Sequence, residues 1–369
     1  MIESKPGVQD IVRLVRPEVR ASHEYIVGSF PDIQVKLNQN ESPLNLPEPL
    51  RSELVEAVAQ AQFNRYPAEF PHALRAALAA QNGVPEESII VGNGSNELTY
   101  TLGMCFVAPG TPVVVPRPMF SLYEAMIRLH GGAVVPVAPR DDLSFDVDGL
   151  LAAMARTGAP LTIVTTPNNP TGLTVSRSDL ERLIEAAPGV IVVDEAYVEF
   201  NPEGSVVDQL REWPNLLILR TLSKAFGLAG LRVGYLMGNP EIIHEMMKSR
   251  LPFMVDRIAE AAALSVLRNE GVVAERVAHM KTWTADLAQS LSGIQGVTVL
   301  TGNTNFLLFQ TPLTPTLVME RLAEDGILIR NMGGYPELKG YLRVSTGTPQ
   351  ENRLFLDALE RALTAPSEG

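Results

Sequence analysis

Thr221-Leu-Ser-Lys-Ala-Phe-Gly-Leu-Ala-Gly-Leu-Arg-Val-Gly-Tyr235 sets one lysine, Lys224, among apolar and small residues, with Arg232 eight positions further on. A lysine is poorly suited to such surroundings unless its amine is used. Burial and neighbouring cations lower a lysine pKa, and the freed lone pair suits Schiff-base chemistry. Two more signals lie upstream in a fixed order. Pro167-Asn-Asn-Pro-Thr-Gly172 follows one apolar run, and Asp194-Glu-Ala-Tyr197 closes another.

Working outward, short apolar strands alternate with helical periods. Strands are expected at 88–91, 112–115, 133–136, 161–165, 190–193 and 216–219, and helices at 49–62, 73–80, 96–106, 120–129 and 178–186. Strands that are apolar without alternation belong to a sheet covered on both faces, so the sheet is expected to be mainly parallel. Beyond about residue 250 the rhythm changes. A long helical region, 258–291, is interrupted near Gly271. Short strands at 297–300, 306–309, 327–330 and 342–345 follow, with helices at 315–325 and 349–363. The chain therefore reads as α/β. An arm at 1–44, with a short helix at 8–15, joins a smaller α+β domain at 251–369, and a large domain occupies 45–250.

The chain has 369 residues, more than one typical core holds. Its net charge of −12 opposes a polyphosphate backbone and argues against nucleic acid as a partner. Cys105 is the single cysteine, so no intrachain disulfide forms and a reducing, cytoplasmic setting is expected. No signal peptide and no run of about 20 apolar residues is evident, so no membrane is expected. His23, His72, His130, His244 and His279 are scattered without metal-ligand spacing, and no metal is expected.

Gly92-Asn-Gly-Ser-Asn-Glu97 stands between an expected strand and helix. Glycines there let backbone approach an anion, and the helix N-terminus holds phosphate, with Ser95 and Asn96 as donors. A dinucleotide loop needs a third glycine, where Glu97 stands, and an acid after the next strand, where Pro116-Arg-Pro118 stands. Phe120 is placed to lie on a flat ring, and Asn169 to donate to a ring hydroxyl. Asp194 could pair with a protonated pyridine nitrogen and raise its pKa. Taken singly, each has an ordinary reading: a polar cap, a core aromatic, a tight turn, a capping aspartate, a surface lysine. Together and in this order they are the groups that hold and tune pyridoxal phosphate (PLP), whose pyridinium is an electron sink.

On these stretches the chain resembles the PLP-dependent aminotransferases of the aspartate aminotransferase type, and within them the branch that acts on histidinol phosphate. The likeness runs from Leu14-Val-Arg-Pro-Glu-Val-Arg20 to Leu342-Arg-Val-Ser-Thr-Gly-Thr348. It implies that Lys224 carries the cofactor covalently and then shuttles the substrate proton. It implies that Asp194 pairs with the ring nitrogen, that Asn169 and Tyr197 contact the ring hydroxyl, and that Phe120 stacks on the ring. Ser95, Asn96, Thr221, Ser223 and Arg232 would hold the cofactor phosphate. Tyr66, in Asn64-Arg-Tyr-Pro67, resembles the tyrosine that reaches the partner subunit's cofactor, which implies a homodimer with shared sites. Arg343 resembles the arginine that binds substrate carboxylate, and Arg330, Tyr25 and Asn40 complete the substrate side. The implied reaction moves an amino group from histidinol phosphate to 2-oxoglutarate in histidine biosynthesis.

Departures from the family pattern fall on the substrate side. Ile26-Val27-Gly28 replaces a Pro-Gly turn, Ser42 an asparagine, and Phe253 a tyrosine. They leave an aromatic amino acid as an alternative donor. A PLP-dependent threonine-phosphate decarboxylase shares most of these residues and would need no 2-oxoglutarate. An effector domain of a transcription regulator would need an N-terminal DNA-binding domain, for which the arm has no room.

Overall fold

The computed structural model describes residues 7–22, 24 and 32–365. Tyr25, Ile26, Val27 and Gly28 lie outside the described residues. After α1 (Val8–Val12) and α2 (Pro17–Arg20) comes the two-residue strand β1 (Val35–Lys36). Alternation follows through α3 (Glu48–Gln60), α4 (His72–Asn82), β2 (Ile89–Asn93), α5 (Gly94–Phe106), β3 (Pro112–Pro116), α6 (Ser121–Leu129) and β4 (Ala133–Val137). It continues through α7 (Val147–Thr157), β5 (Leu161–Thr165), α8 (Arg177–Ala186), β6 (Val190–Asp194), β7 (Leu216–Thr221), β8 (Val233–Met237) and α9 (Pro240–Met247).

These strands form one seven-stranded sheet in the order β2-β8-β7-β6-β5-β3-β4. The run from β7 to β4 is parallel, and β8 is antiparallel to both its neighbours. All five residues of β5 are buried because helices cover both faces. Val115, Ile163, Val192 and Leu219 pack toward Leu98 of α5, Tyr123 of α6 and Ile243 of α9. Val114, Val164, Val193 and Ile218 pack toward Leu78 of α4, Leu150 of α7 and Leu180 of α8. β5, β6 and β7 end side by side at Thr165, Asp194 and Thr221, the edge of a parallel sheet where ligands bind.

Three elements of this region escaped the periodicity. α7 was hidden by Gly149 in its first turn, although Asp146 caps it by accepting from Gly149 N at 3.0 Å and Gly158 ends it in the left-handed conformation. α9 is short but carries Asn239 as cap and Pro240 in the first turn. β8 was hidden by Gly234. A Cβ there would collide with the backbone N of Ser95, so the glycine lets the α5 N-terminus lie on the strand.

The remainder holds α10 (Arg257–Arg268), α11 (Glu270–Ser292), β9 (Thr298–Leu300), β10 (Phe306–Gln310), α12 (Pro315–Glu324), β11 (Ile327–Leu328), β12 (Arg330–Asn331), β13 (Tyr341–Ser345) and α13 (Pro349–Thr364). The helical break falls at Asn269, two residues before Gly271; its side chain bonds back to Ser265 O at 2.8 Å. β12-β13-β10-β9 is an antiparallel sheet, and β1 pairs with β11 in parallel. The single strand expected at 327–330 is thus two strands, parted at Ile329 and pairing in different sheets. α13 starts on a reciprocal cap, with Thr348 N donating to Glu351 at 2.7 Å and Glu351 N to Thr348 Oγ1 at 3.3 Å. Among the described residues, no helix is long and apolar enough to cross a membrane.

Candidate active site

At the carboxyl edge of β5, β6 and β7 opens a cleft of about 670 Å³. Asp194, Asn169, Phe120 and Tyr197 line it. One end holds Ser95, Asn96, Thr221, Ser223 and Arg232, the middle Lys224 and Asn40, and the other end Arg330 and Arg343. Among the sequence-derived candidates described here, only Tyr66 stays away. It is exposed and stacks on Phe253, ring centroids 4.6 Å apart. Phe253 therefore lies against Tyr66 and does not line the cleft of its own chain.

Lys224 sits where its burial and its neighbours free the amine. Its Nζ donates to Gln39 O at 2.9 Å and lies 5.9 Å from the Tyr197 ring centre. Burial above all, then the charges of Arg343 and Arg232, bring its pKa down to about 7, with Glu41 opposing. Asp194 is buried, and burial raises its pKa to about 6. Two hydrogen bonds pull the other way: Tyr123 OH donates to Oδ2 at 2.7 Å, and Ala196 N to Oδ1 at 3.0 Å.

The anion end is built from backbone constraints. Arg232 sits at φ 54 and donates to Ser223 Oγ at 3.3 Å and Ala229 O at 3.1 Å. Thr221 Oγ1 bonds Ser223 Oγ at 2.9 Å. At Gly94, a Cβ would run into the Arg232 guanidinium, so only glycine lets the α5 N-terminus close on that cation. Helix N–H groups and an arginine converging through a glycine make a phosphate cradle.

The substrate end is tied across long sequence distances. Asn40, at φ 54, donates from Nδ2 to Tyr197 OH at 2.9 Å and accepts from Ser345 Oγ at 3.1 Å. Arg343 donates to Asn169 Oδ1 at 2.6 Å and to Asn38 O at 3.0 Å, with its guanidinium 5.2 Å from the Phe306 ring. Arg330 stands directly opposite Arg343 on neighbouring antiparallel strands.

Tyr123 was missed by the sequence reading, although its place three residues after Phe120 put it on the same helical side. Gln39 acts through its carbonyl, which no side-chain signal announces. Asn38, Met332 and Tyr335 also line the substrate end, unremarked in the sequence.

A lysine with a lowered pKa, a buried carboxylate and a phosphate cradle lining one cleft fit one cofactor, pyridoxal phosphate, and the chain is an enzyme of that class. It belongs to the aminotransferases of class I and II, whose family model matches residues 32–359. It is 39% identical to the histidinol-phosphate aminotransferase of Chlorobaculum parvum, over 95% of this chain and 99% of that one. Among solved structures it is similar to the histidinol-phosphate aminotransferase of Sinorhizobium meliloti in complex with pyridoxal-5'-phosphate. The TM-score is 0.85 and the identity 27%, over 94% of this chain and 96% of that one. It is also similar to the L-threonine-O-3-phosphate decarboxylase of Porphyromonas gingivalis, with a TM-score of 0.80 and 25% identity, over 90% of this chain and 100% of that one.

Proposed function

We propose that the protein transfers the amino group of histidinol phosphate to 2-oxoglutarate, giving imidazole-acetol phosphate and glutamate. The observation that carries this reading is the facing of Arg330 and Arg343 across β12 and β13. Like charges directly opposite on a sheet repel. A phosphate dianion between them relieves that repulsion, and their forks suit both phosphate and carboxylate. Lys224, Arg232, Arg330 and Arg343 are the cations lining the cleft, against Glu41 and Asp194. In a chain of net charge −12 this is a local preference for anions.

The cofactor, when bound, supplies the ring that takes up the electron pair left on the donor's Cα. Asp194 would keep the ring nitrogen protonated, Phe120 would pack on the ring, and Asn169 and Tyr197 would bond its hydroxyl. Ser95, Asn96, Thr221, Ser223 and Arg232 would hold the phosphate. Lys224 would hold the cofactor covalently at rest, and its free Nζ would take the Cα proton of the donor and deliver it again within the site. Arg343 grips the donor phosphate in one half-reaction, with Arg330 beside it, and a carboxylate of 2-oxoglutarate in the other.

The same reading includes a homodimer in which Tyr66, exposed on its own subunit, completes the partner subunit's cofactor site. It includes a cytoplasmic setting, supported by the single cysteine. It also includes the division into an arm (1–44), a large domain (45–250) and a small domain (251–369). Separate sheets support that division; α10 packs in the core of the seven-stranded sheet, and α11 spans both cores, with Val273, Val277 and Met280 in one and Leu287 and Leu291 in the other.

Half-reaction spectra test the function. Purified holoenzyme mixed with histidinol phosphate alone should lose its visible absorption band, and 2-oxoglutarate should restore it. Carbon dioxide release from threonine phosphate without any acceptor would replace this reading with the decarboxylase.

A further inference from the structure

β6 and β7 are neighbours, and each runs into charged residues at its cleft end. Successive strand residues face opposite sides of a sheet. Asp194 stands on the side of Val192, where it accepts from Tyr123. Glu195 turns to the side of Val193, while its backbone N–H still bonds Leu219 O at 2.8 Å. Arg220, on that side with Ile218, meets it there. Its Nε donates to Glu195 Oε2 at 2.9 Å, and Nη2 lies 2.8 Å from the same oxygen. The two side chains are 12% and 3% exposed.

The pair is fully bonded. Val206 N donates to Glu195 Oε1 at 2.9 Å, and Ser205 Oγ to Oε2 at 2.8 Å. Arg220 also donates to Asn82 Oδ1 at 2.7 Å and Ser205 Oγ at 2.6 Å. Neither Glu195 nor Arg220 lines the cleft. A buried ion pair is often no more stabilising than apolar residues of the same volume, so stability alone is a poor reason for it. Its position supplies a better one. Glu195 is the chain neighbour of Asp194, and Arg220 the chain neighbour of Thr221.

We propose that Glu195 and Arg220 are a positioning pair that keeps Asp194 anionic: Arg220 cancels the field of the carboxylate beside Asp194, and the pair fixes the strand ends that carry Asp194 and Thr221. This rests on the reading of Asp194 as partner of the cofactor's ring nitrogen. The groups facing the network are Tyr123 from α6 onto Asp194, and Glu199 from the turn after β6 and Tyr235 from β8 onto Arg220. Burial raises Asp194, and the Glu195 charge adds to that rise. Burial also raises Glu199, to about 7, so its share of the charge facing Arg220 changes near neutral pH, while Glu195 is the carboxylate that Arg220 bonds directly.

The sign follows from Coulomb's law. Removing the cation should drive the Asp194 pKa up, and removing the neighbouring anion should drive it down. The test is the affinity of the apoprotein for pyridoxamine 5'-phosphate between about pH 5 and about pH 9. This ligand has no aldehyde, so covalent capture by Lys224 is absent, and its own titrations are common to every variant. Asp194→Asn should leave only the ligand's own titrations in the acid limb of the profile. Glu195→Gln should move the midpoint of that limb down by about one pH unit, and Arg220→Met up by a similar amount. The double variant should return it to the wild-type position. Arg220→Lys, which keeps the charge, should hold the midpoint; with Glu195→Gln it carries the test if Arg220→Met does not fold. Midpoints that stay fixed, or that move the same way in Glu195→Gln and Arg220→Met, overturn the proposal. An acid limb in Asp194→Asn unchanged from that of the wild type overturns the reading of Asp194 instead.

Discussion

The Tyr123 hydroxyl donates to Asp194 Oδ2 at 2.7 Å, from inside a helix, onto a carboxylate that burial raises to about 6. Without that bond, burial would act on the carboxylate with one opponent fewer. Tyr123→Phe should raise the Asp194 pKa further, so the carboxylate ionises only at higher pH. Cofactor affinity should fall near pH 7 by about 10- to 150-fold, the worth of a hydrogen bond to a charged group, and recover as pH rises. Binding curves of the apoprotein at several pH values measure this. A loss equal at every pH would make Tyr123 a packing residue only.

Lys224 has its pKa lowered from 10.5 to about 7. A lowered lysine pKa means that the neutral amine dominates above about pH 7, while ordinary lysines stay protonated to about 10. In the apoprotein, the rate of cofactor capture should rise through pH 7 and level off above it. Borohydride reduction of the holoenzyme should then leave the cofactor mass on the Lys224 peptide. A label on any other lysine would displace Lys224 from this role.

Tyr66 is 77% exposed and turned away from the cleft of its own chain. Two inactive proteins, Lys224→Ala and Tyr66→Ala, should regain part of their activity when mixed and allowed to exchange subunits. A chain that stays monomeric and fully active on dilution removes the shared site.

Arg330 faces Arg343 in register. Arg330→Ala should reduce kcat/KM for histidinol phosphate far more than for phenylalanine, because only the phosphate needs the second cation. A charge-assisted contact is worth about 1.5–3 kcal/mol, or about 10- to 150-fold. Equal losses for both donors would make Arg330 structural. A wild-type preference for phenylalanine would make the enzyme an aromatic aminotransferase.

The sequence by itself determined the alternation of strands and helices and the mainly parallel sheet, and it singled out Asn169, Asp194 and Lys224, which line one cleft. Each of those residues sits beside its own local signature: a tight turn at Asn169, an apolar strand end at Asp194, a run of apolar and small residues around Lys224. Such signatures act over a few residues, which is why they survive in one dimension. Even here β8 went without a signal, and the approach of Ser95 explains the glycine at 234. Tertiary structure alone decided what meets across the chain. Arg330 and Arg343, thirteen positions apart, became a facing pair only through the register of β12 on β13. Asn40 and Tyr197 are 157 positions apart and meet at 2.9 Å. Tyr123 found Asp194, and Arg220 found Glu195, because helix packing and strand order set which faces touch. Hydrophobic periodicity says that a face is buried, and only the packed fold says against which residue.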